Sequence, residues 1–118
     1  MASDVKSKKE KAIKREVLRL KKIYGQIEER RQETIEGLIQ RAAFMRVTLE
    51  ELEDDINSFG VTEWFSQGNQ EPYQRERPTA RVYNSLNTSY QKITKQLTDL
   101  LPKEALHQKD DGDAFDDF

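Results

Sequence analysis

At 118 residues the chain has the length of a single domain, yet only 35% of it is hydrophobic and 36% is charged, which argues against a large globular core. It contains no cysteine, which excludes a disulfide framework or a thiolate metal site and suits a reducing cytoplasm. The charged N-terminus and the lack of a run of roughly 20 apolar residues predict neither a signal peptide nor a membrane span.

The formal net charge of −2 conceals two opposed ends. The first 22 residues carry nine cationic side chains (Lys6, Lys8, Lys9, Lys11, Lys14, Arg15, Arg19, Lys21 and Lys22) against Asp4, Glu10 and Glu16, a balance of +6. Within the same stretch Ile13, Val17, Leu20, Tyr24 and Ile27 follow the alternating spacing of four and three that marks one face of a helix. The pattern predicts a helix over 7–23 that rests its apolar side on a partner and turns Lys11, Arg15 and Lys22 to solvent. Lys8, Lys9, Lys11, Lys14, Arg15, Arg19, Lys21 and Lys22 are the candidate nucleic-acid contacts, because cationic side chains on phosphates release counterions whatever the base sequence. Gly25 is the expected joint.

A cleaner stripe follows at Ile35, Leu38, Ala42, Met45, Leu49, Leu52 and Ile56, one residue out of phase with the first, so the two segments are expected to be oriented separately. Gly60 stops it. Between Val61 and Pro78 the helical period vanishes, and Val61-Thr62-Glu63-Trp64-Phe65, Gly68-Asn69 and Pro72-Tyr73-Gln74 read as a short β-hairpin or an ordered aromatic loop. A third stripe, Tyr83, Leu86, Tyr90, Ile93, Leu97 and Leu100, ends at Pro102.

The fold class expected is therefore all-α. A basic N-terminal helix (1–25) precedes a long antiparallel helical hairpin of helices 34–58 and 80–101, the oligomerisation core being 26–103 with the aromatic loop 60–78 at its turn. Two stripes alone leave each apolar side chain partly uncovered. Leu38, Met45, Leu49, Leu52, Tyr83, Tyr90 and Leu97 are thus expected to contact further copies of the chain. From Glu104 the balance reverses to −5, and the polar, acidic segment 104–118 is expected to be a disordered tail. Phe115 and Phe118, among Asp113, Asp116 and Asp117, have the spacing of anchors in a docking motif.

Other signals read more plainly as structure. Arg75, Arg77 and Arg81 are better explained by pairing with local carboxylates than by phosphate contact. Glu50, Glu51, Glu53, Asp54 and Asp55 read as a solvated face rather than a metal site, and His107 has no catalytic partner near it. No phosphate-binding glycine loop or nucleophile set is present in the sequence, so no catalytic residue, metal or cofactor is expected.

Three strings carry a family likeness. They are Leu38-Ile39-Gln40-Arg41-Ala42-Ala43-Phe44-Met45-Arg46-Val47-Thr48-Leu49-Glu50-Glu51-Leu52, then Val82-Tyr83-Asn84-Ser85-Leu86, then Gln96-Leu97-Thr98-Asp99-Leu100-Leu101-Pro102-Lys103. In their order and spacing, across 13–103, they resemble the small terminase subunits of tailed double-stranded DNA phages of Gram-positive hosts, and the acidic ending with phenylalanine fits the likeness. The resemblance implies a non-enzymatic subunit in the host cytoplasm that assembles into a ring and binds double-stranded viral DNA for packaging. It then hands that DNA to a large terminase subunit with ATPase and nuclease activity. The chain departs from many such subunits in having one basic helix where they carry a helix-turn-helix. A cytoplasmic coiled-coil scaffold, or a small regulator that binds DNA as a dimer, would share the same stripes and the same basic helix.

Overall fold

The computed structural model describes residues 2–25 and 32–101. Three helices and one β-hairpin follow in the order α1 (Ala2–Tyr24), α2 (Gln32–Phe59), β1 (Thr62–Phe65), β2 (Tyr73–Glu76) and α3 (Pro78–Asp99). Ile27, residues 28–31 of the stretch Glu28–Glu33 where the two stripes change phase, and the acidic tail from Glu104 lie outside the described residues, as do Asp113, Phe115, Asp116, Asp117 and Phe118.

Each helix ends where its residues require it. In α1, Asp4 lies in the first turn and Lys21 and Lys22 in the last, so the side-chain charges oppose the helix dipole at both ends. A side chain on the next residue, Gly25, would place its Cβ 2.8 Å from the Lys21 carbonyl oxygen, which explains why glycine closes this helix. For α2 the terminator is Gly60, whose φ of 82° lies in the left-handed region and whose N–H donates to the Ile56 carbonyl at 2.7 Å. Pro78 opens α3, and the residue before it, Arg77, is extended at φ −69° and ψ 142°, as a residue preceding proline must be.

The helical pattern is thus as expected in kind: α1 begins eleven residues before Ile13, α2 runs three residues past its stripe at each end, and α3 begins five residues before Tyr83 and ends one before Leu100. The segment between α2 and α3 is a β-hairpin. Its strands pair antiparallel in the register Thr62↔Glu76, Glu63↔Arg75, Trp64↔Gln74 and Phe65↔Tyr73. Pairs directly opposite share a face. On one face Arg75 donates to Glu63 at 2.7 Å and lies 3.6 Å over the Phe65 ring, and Tyr73 meets Phe65 edge-on at 5.8 Å. Trp64 and Gln74 occupy the other face, where Trp64 is 70% exposed.

Polar contacts fix how α2 and α3 run past each other. Arg77 bonds Asp55, Tyr83 bonds Glu53 and Arg46 reaches Tyr90, so numbers fall along α2 as they rise along α3, the order of two antiparallel helices.

The basic helix does not stand apart from this pair. Val17, Leu20 and Tyr24 of α1 are buried in one cluster with Ile35, Ile39, Ala42 and Ala43 of α2 and Leu97 of α3. Ile13, Ile23, Leu38, Tyr90, Ile93, Leu100 and Leu101 pack around it. The core therefore sits where the end of α1, the start of α2 and the end of α3 meet, and α1 supplies much of the cover that the two stripes lacked. Tyr24 marks this junction, its hydroxyl lying 3.4 Å from Thr98 Oγ1.

This arrangement corrects part of the assembly reading. Leu97 is fully buried and Leu49 nearly so within a single chain, so neither is free to contact another copy. Leu49 lies toward Asn87 and Tyr90 of α3, and Leu97 is enclosed because α2 has a second apolar row at Ile39, Ala43 and Val47, spaced by four. That row lies on the side of α2 that carries the α1 contacts of Glu36, Arg46 and Glu51, and it docks α1. Leu38, Met45, Leu52, Tyr83 and Tyr90 are half-buried.

Candidate nucleic-acid interface

Because Val17, Leu20 and Tyr24 face the core, 100° per residue places Lys11 and Lys22 on the opposite side of α1, with Lys14 on one flank. Lys8 and Arg15 lie on the edge toward α2, where Lys8 borders a cleft with Glu50, Glu51 and Asp54 and Arg15 one with Glu16 and Glu50. All five are exposed, and none makes an ion pair among the described residues. At about 1.5 Å per residue, the row from Lys8 to Lys22 is about 21 Å long. Its other exposed members include Asp4 near the start and, between Arg15 and Lys22, Leu18, which is 62% exposed.

The remaining three of the eight candidates do different work. Lys9 Nζ is 2.9 Å from Glu51 and 4.7 Å above the Phe44 ring, and Lys21 Nζ is 3.3 Å from Glu36. Arg19 grips the buried Glu16 with both arms, Nε to Oε1 at 2.7 Å and Nη2 to Oε2 at 2.6 Å. That hydrogen-bonded carboxylate, opposed by partial burial, raises the Arg19 guanidinium above its ordinary range. Arg46 of α2 completes the network, its Nε lying 3.7 Å from Glu16 and 3.3 Å from Glu50. So Lys9, Arg19 and Lys21 fasten α1 to α2 or hold its buried acid, and the other five form the free face.

The acidic run on α2 is the counterpart of this fastening. Glu50 pairs with Arg46, Glu51 with Lys9 and Asp55 with Arg77, and Glu53 accepts from the Tyr83 hydroxyl at 2.8 Å. That last bond raises the Tyr83 pKa, because the carboxylate stabilises the protonated phenol. The arginines near the hairpin are engaged as well: Arg75 with Glu63, Arg77 with Asp55, and Arg81 with Glu76. Arg77 also donates to the Gly60 carbonyl at 2.6 Å, so it ties the end of α2 to the start of α3.

Reading the sequence missed two features. One is the row Ile39, Ala43 and Val47, visible in retrospect as an i, i+4, i+8 apolar line beside the heptad stripe. The other is the set of exposed apolar side chains at and beyond the turn, Phe59, Val61, Trp64, Tyr73 and Val82, with Phe44 on α2.

Among the described residues no helix is long and apolar enough to cross a membrane. Comparison of the chain with family models, with curated proteins and with solved structures finds no match.

Proposed function

We propose that this chain is a small terminase subunit that binds double-stranded phage DNA through the solvent face of α1 and delivers it to a large ATPase and nuclease subunit in the host cytoplasm. The observation that carries the reading is the division of labour on α1, where Lys8, Lys11, Lys14, Arg15 and Lys22 are exposed and make no ion pair with a described carboxylate while Lys9 and Lys21 are bonded to α2. A helix fixed in this way presents its cations at a set spacing, which is what backbone recognition of a duplex needs. The subunit itself is non-catalytic on this reading. The antiparallel pair of α2 and α3 acts as the assembly core, copies closing into a ring through the parts of those helices that their own chain leaves uncovered. The acidic tail addresses the large subunit.

Five phosphate contacts predict that the logarithm of DNA affinity falls with the logarithm of salt with a slope of about −4.5. The test is the triple variant Lys11→Glu, Arg15→Glu, Lys22→Glu, titrated with linear duplex DNA over a salt series, with native mass recorded in parallel. The slope should become shallower by about 3 and low-salt affinity should drop sharply, with unchanged mass and melting. An unchanged affinity removes the DNA face, and a monomer or dimer indifferent to DNA removes the terminase reading.

A further inference from the structure

The face described above has a complementary segment in the same chain. The structure fixes where the described chain ends, at Leu101. Leu100 and Leu101 pack into the cluster formed by Val17, Leu20 and Tyr24, and Thr98 touches the Tyr24 hydroxyl, so the chain leaves the core beside the C-terminal end of α1. Lys22 lies at that end, and the free cations extend away from it for about 21 Å. Residues 102–118 number 17 and reach at most about 56–61 Å when extended. Even the 14 residues that follow Leu101 as far as Phe115 span up to about 46–50 Å, more than twice the face. Length therefore permits the acidic run to lie anywhere along α1.

Charge and shape select that destination. The segment from Glu104 carries a balance of −5, opposite in sign to the +6 of the first 22 residues. Among the described residues the other exposed cations are scattered: on α3, for example, Lys92 has no ion-pair partner and Lys95 is paired with Asp99 at 2.9 Å. Leu18 puts one apolar side chain among the cations of α1, and the acidic run carries two phenylalanines, Phe115 and Phe118. A row of cations around an exposed leucine matches a row of carboxylates around aromatic anchors.

We propose that the acidic segment 104–118 docks along the free basic face of α1 of its own chain, its carboxylates on Lys8, Lys11, Lys14, Arg15 and Lys22 and its phenylalanines against Leu18. Where that face binds DNA, as proposed above, the segment is an intramolecular competitor. A partner that captures the tail then uncovers the DNA face.

Docking is tested without nucleic acid by zero-length carbodiimide cross-linking of the full-length protein and mass spectrometry, using mixed light and heavy isotope-labelled chains. Links from Lys11, Lys14 or Lys22 to Asp110–Asp117 within one chain are the expected result, and Phe115→Ser with Phe118→Ser should reduce them. Links formed only between chains, links spread equally onto Lys92, or none to α1 overturn the proposal. The competition is read on the full-length variant with Asp110, Asp111, Asp113, Asp116 and Asp117 all changed to Asn. It should bind duplex DNA about tenfold more tightly than the natural chain at low salt, as expected for a weak tethered competitor at millimolar effective concentration. The gap should close as salt rises. Equal affinity of the two proteins at every salt overturns the competition. If neither binds DNA while the α1 links form, the docking stands and the terminase reading falls.

Discussion

Replacing Leu97 by alanine asks whether the apolar stripe of α3 serves the single chain or the assembly. Leu97 has no exposed surface and lies where α1, α2 and α3 meet. The truncation removes about three carbon equivalents, worth about 2.4 kcal/mol at roughly 0.8 kcal/mol each. The cavity left among Ile35, Ile39, Ala42 and Tyr24 raises the cost to about 3–4 kcal/mol, because neighbours on three helices cannot all close on it. For a domain of this size the melting temperature should fall by roughly 12–30 °C. The assay is thermal or urea unfolding followed by circular dichroism, with Val82→Ala as the control; Val82 is 54% exposed, and its loss should stay within about 0.5 kcal/mol. A Leu97→Ala protein that melts like the natural chain but has a smaller native mass would refute the reasoning, since it would show that Leu97 packs between copies.

Two glycines should respond in opposite senses. Gly37 sits inside α2 with open space where a Cβ would go, so Gly37→Ala should raise stability by about 0.5–1 kcal/mol in urea unfolding. Gly60 also has open space but a φ of 82°, so Gly60→Ala should lower stability by about 1–2 kcal/mol from backbone strain alone. Arg77 has a side chain 14% exposed and bonds both Asp55 and the Gly60 carbonyl; Arg77→Ala should cost about 1.5–3 kcal/mol while DNA affinity in a salt titration stays within about twofold. The Glu36 carboxyl is held below the usual carboxylate range, first by the Gln40 amide at 3.0 Å and then by Lys21. A depressed folded-state pKa contributes stability that is present above the unfolded value and lost as pH falls through the folded one. The stability difference between the natural chain and Glu36→Gln should therefore be largest near neutrality and shrink below the ordinary carboxylate range, measured by urea midpoints across pH.

Particular residues show how far a sequence of this kind can be read. The helices were legible because their stripes alternate strictly by three and four and because Gly25, Gly60 and Pro78 have conformational reasons to stand at the breaks. The hairpin was legible only as one of two options, since strands of four residues leave too few alternations to establish a period of two. What stayed hidden was the packing of α1. Ile39, Ala43 and Val47 lie next to a complete heptad row, and a helix with two apolar rows reads at first as a helix with one broad row. The site was half visible for a related reason. Lys9, Lys21 and Arg19 have the same composition signal as Lys11, Lys22 and Arg15, and only the placement of Glu51, Glu36 and Glu16 separates the two groups. Charge counts report a total, whereas the division into fastened and free cations depends on which side of the helix the core occupies.

The chain also carries its own reporter. Its single tryptophan, Trp64, stands on the open face of the hairpin, away from the Phe65, Tyr73 and Arg75 stack. Indole fluorescence there will be red-shifted and readily quenched by acrylamide, and it will say little about the core at the far end of α2. Any second molecule that settles on the turn between α2 and α3 will blue-shift and shield that emission. Optical titration of the unlabelled protein can therefore separate events at the hairpin from events on α1.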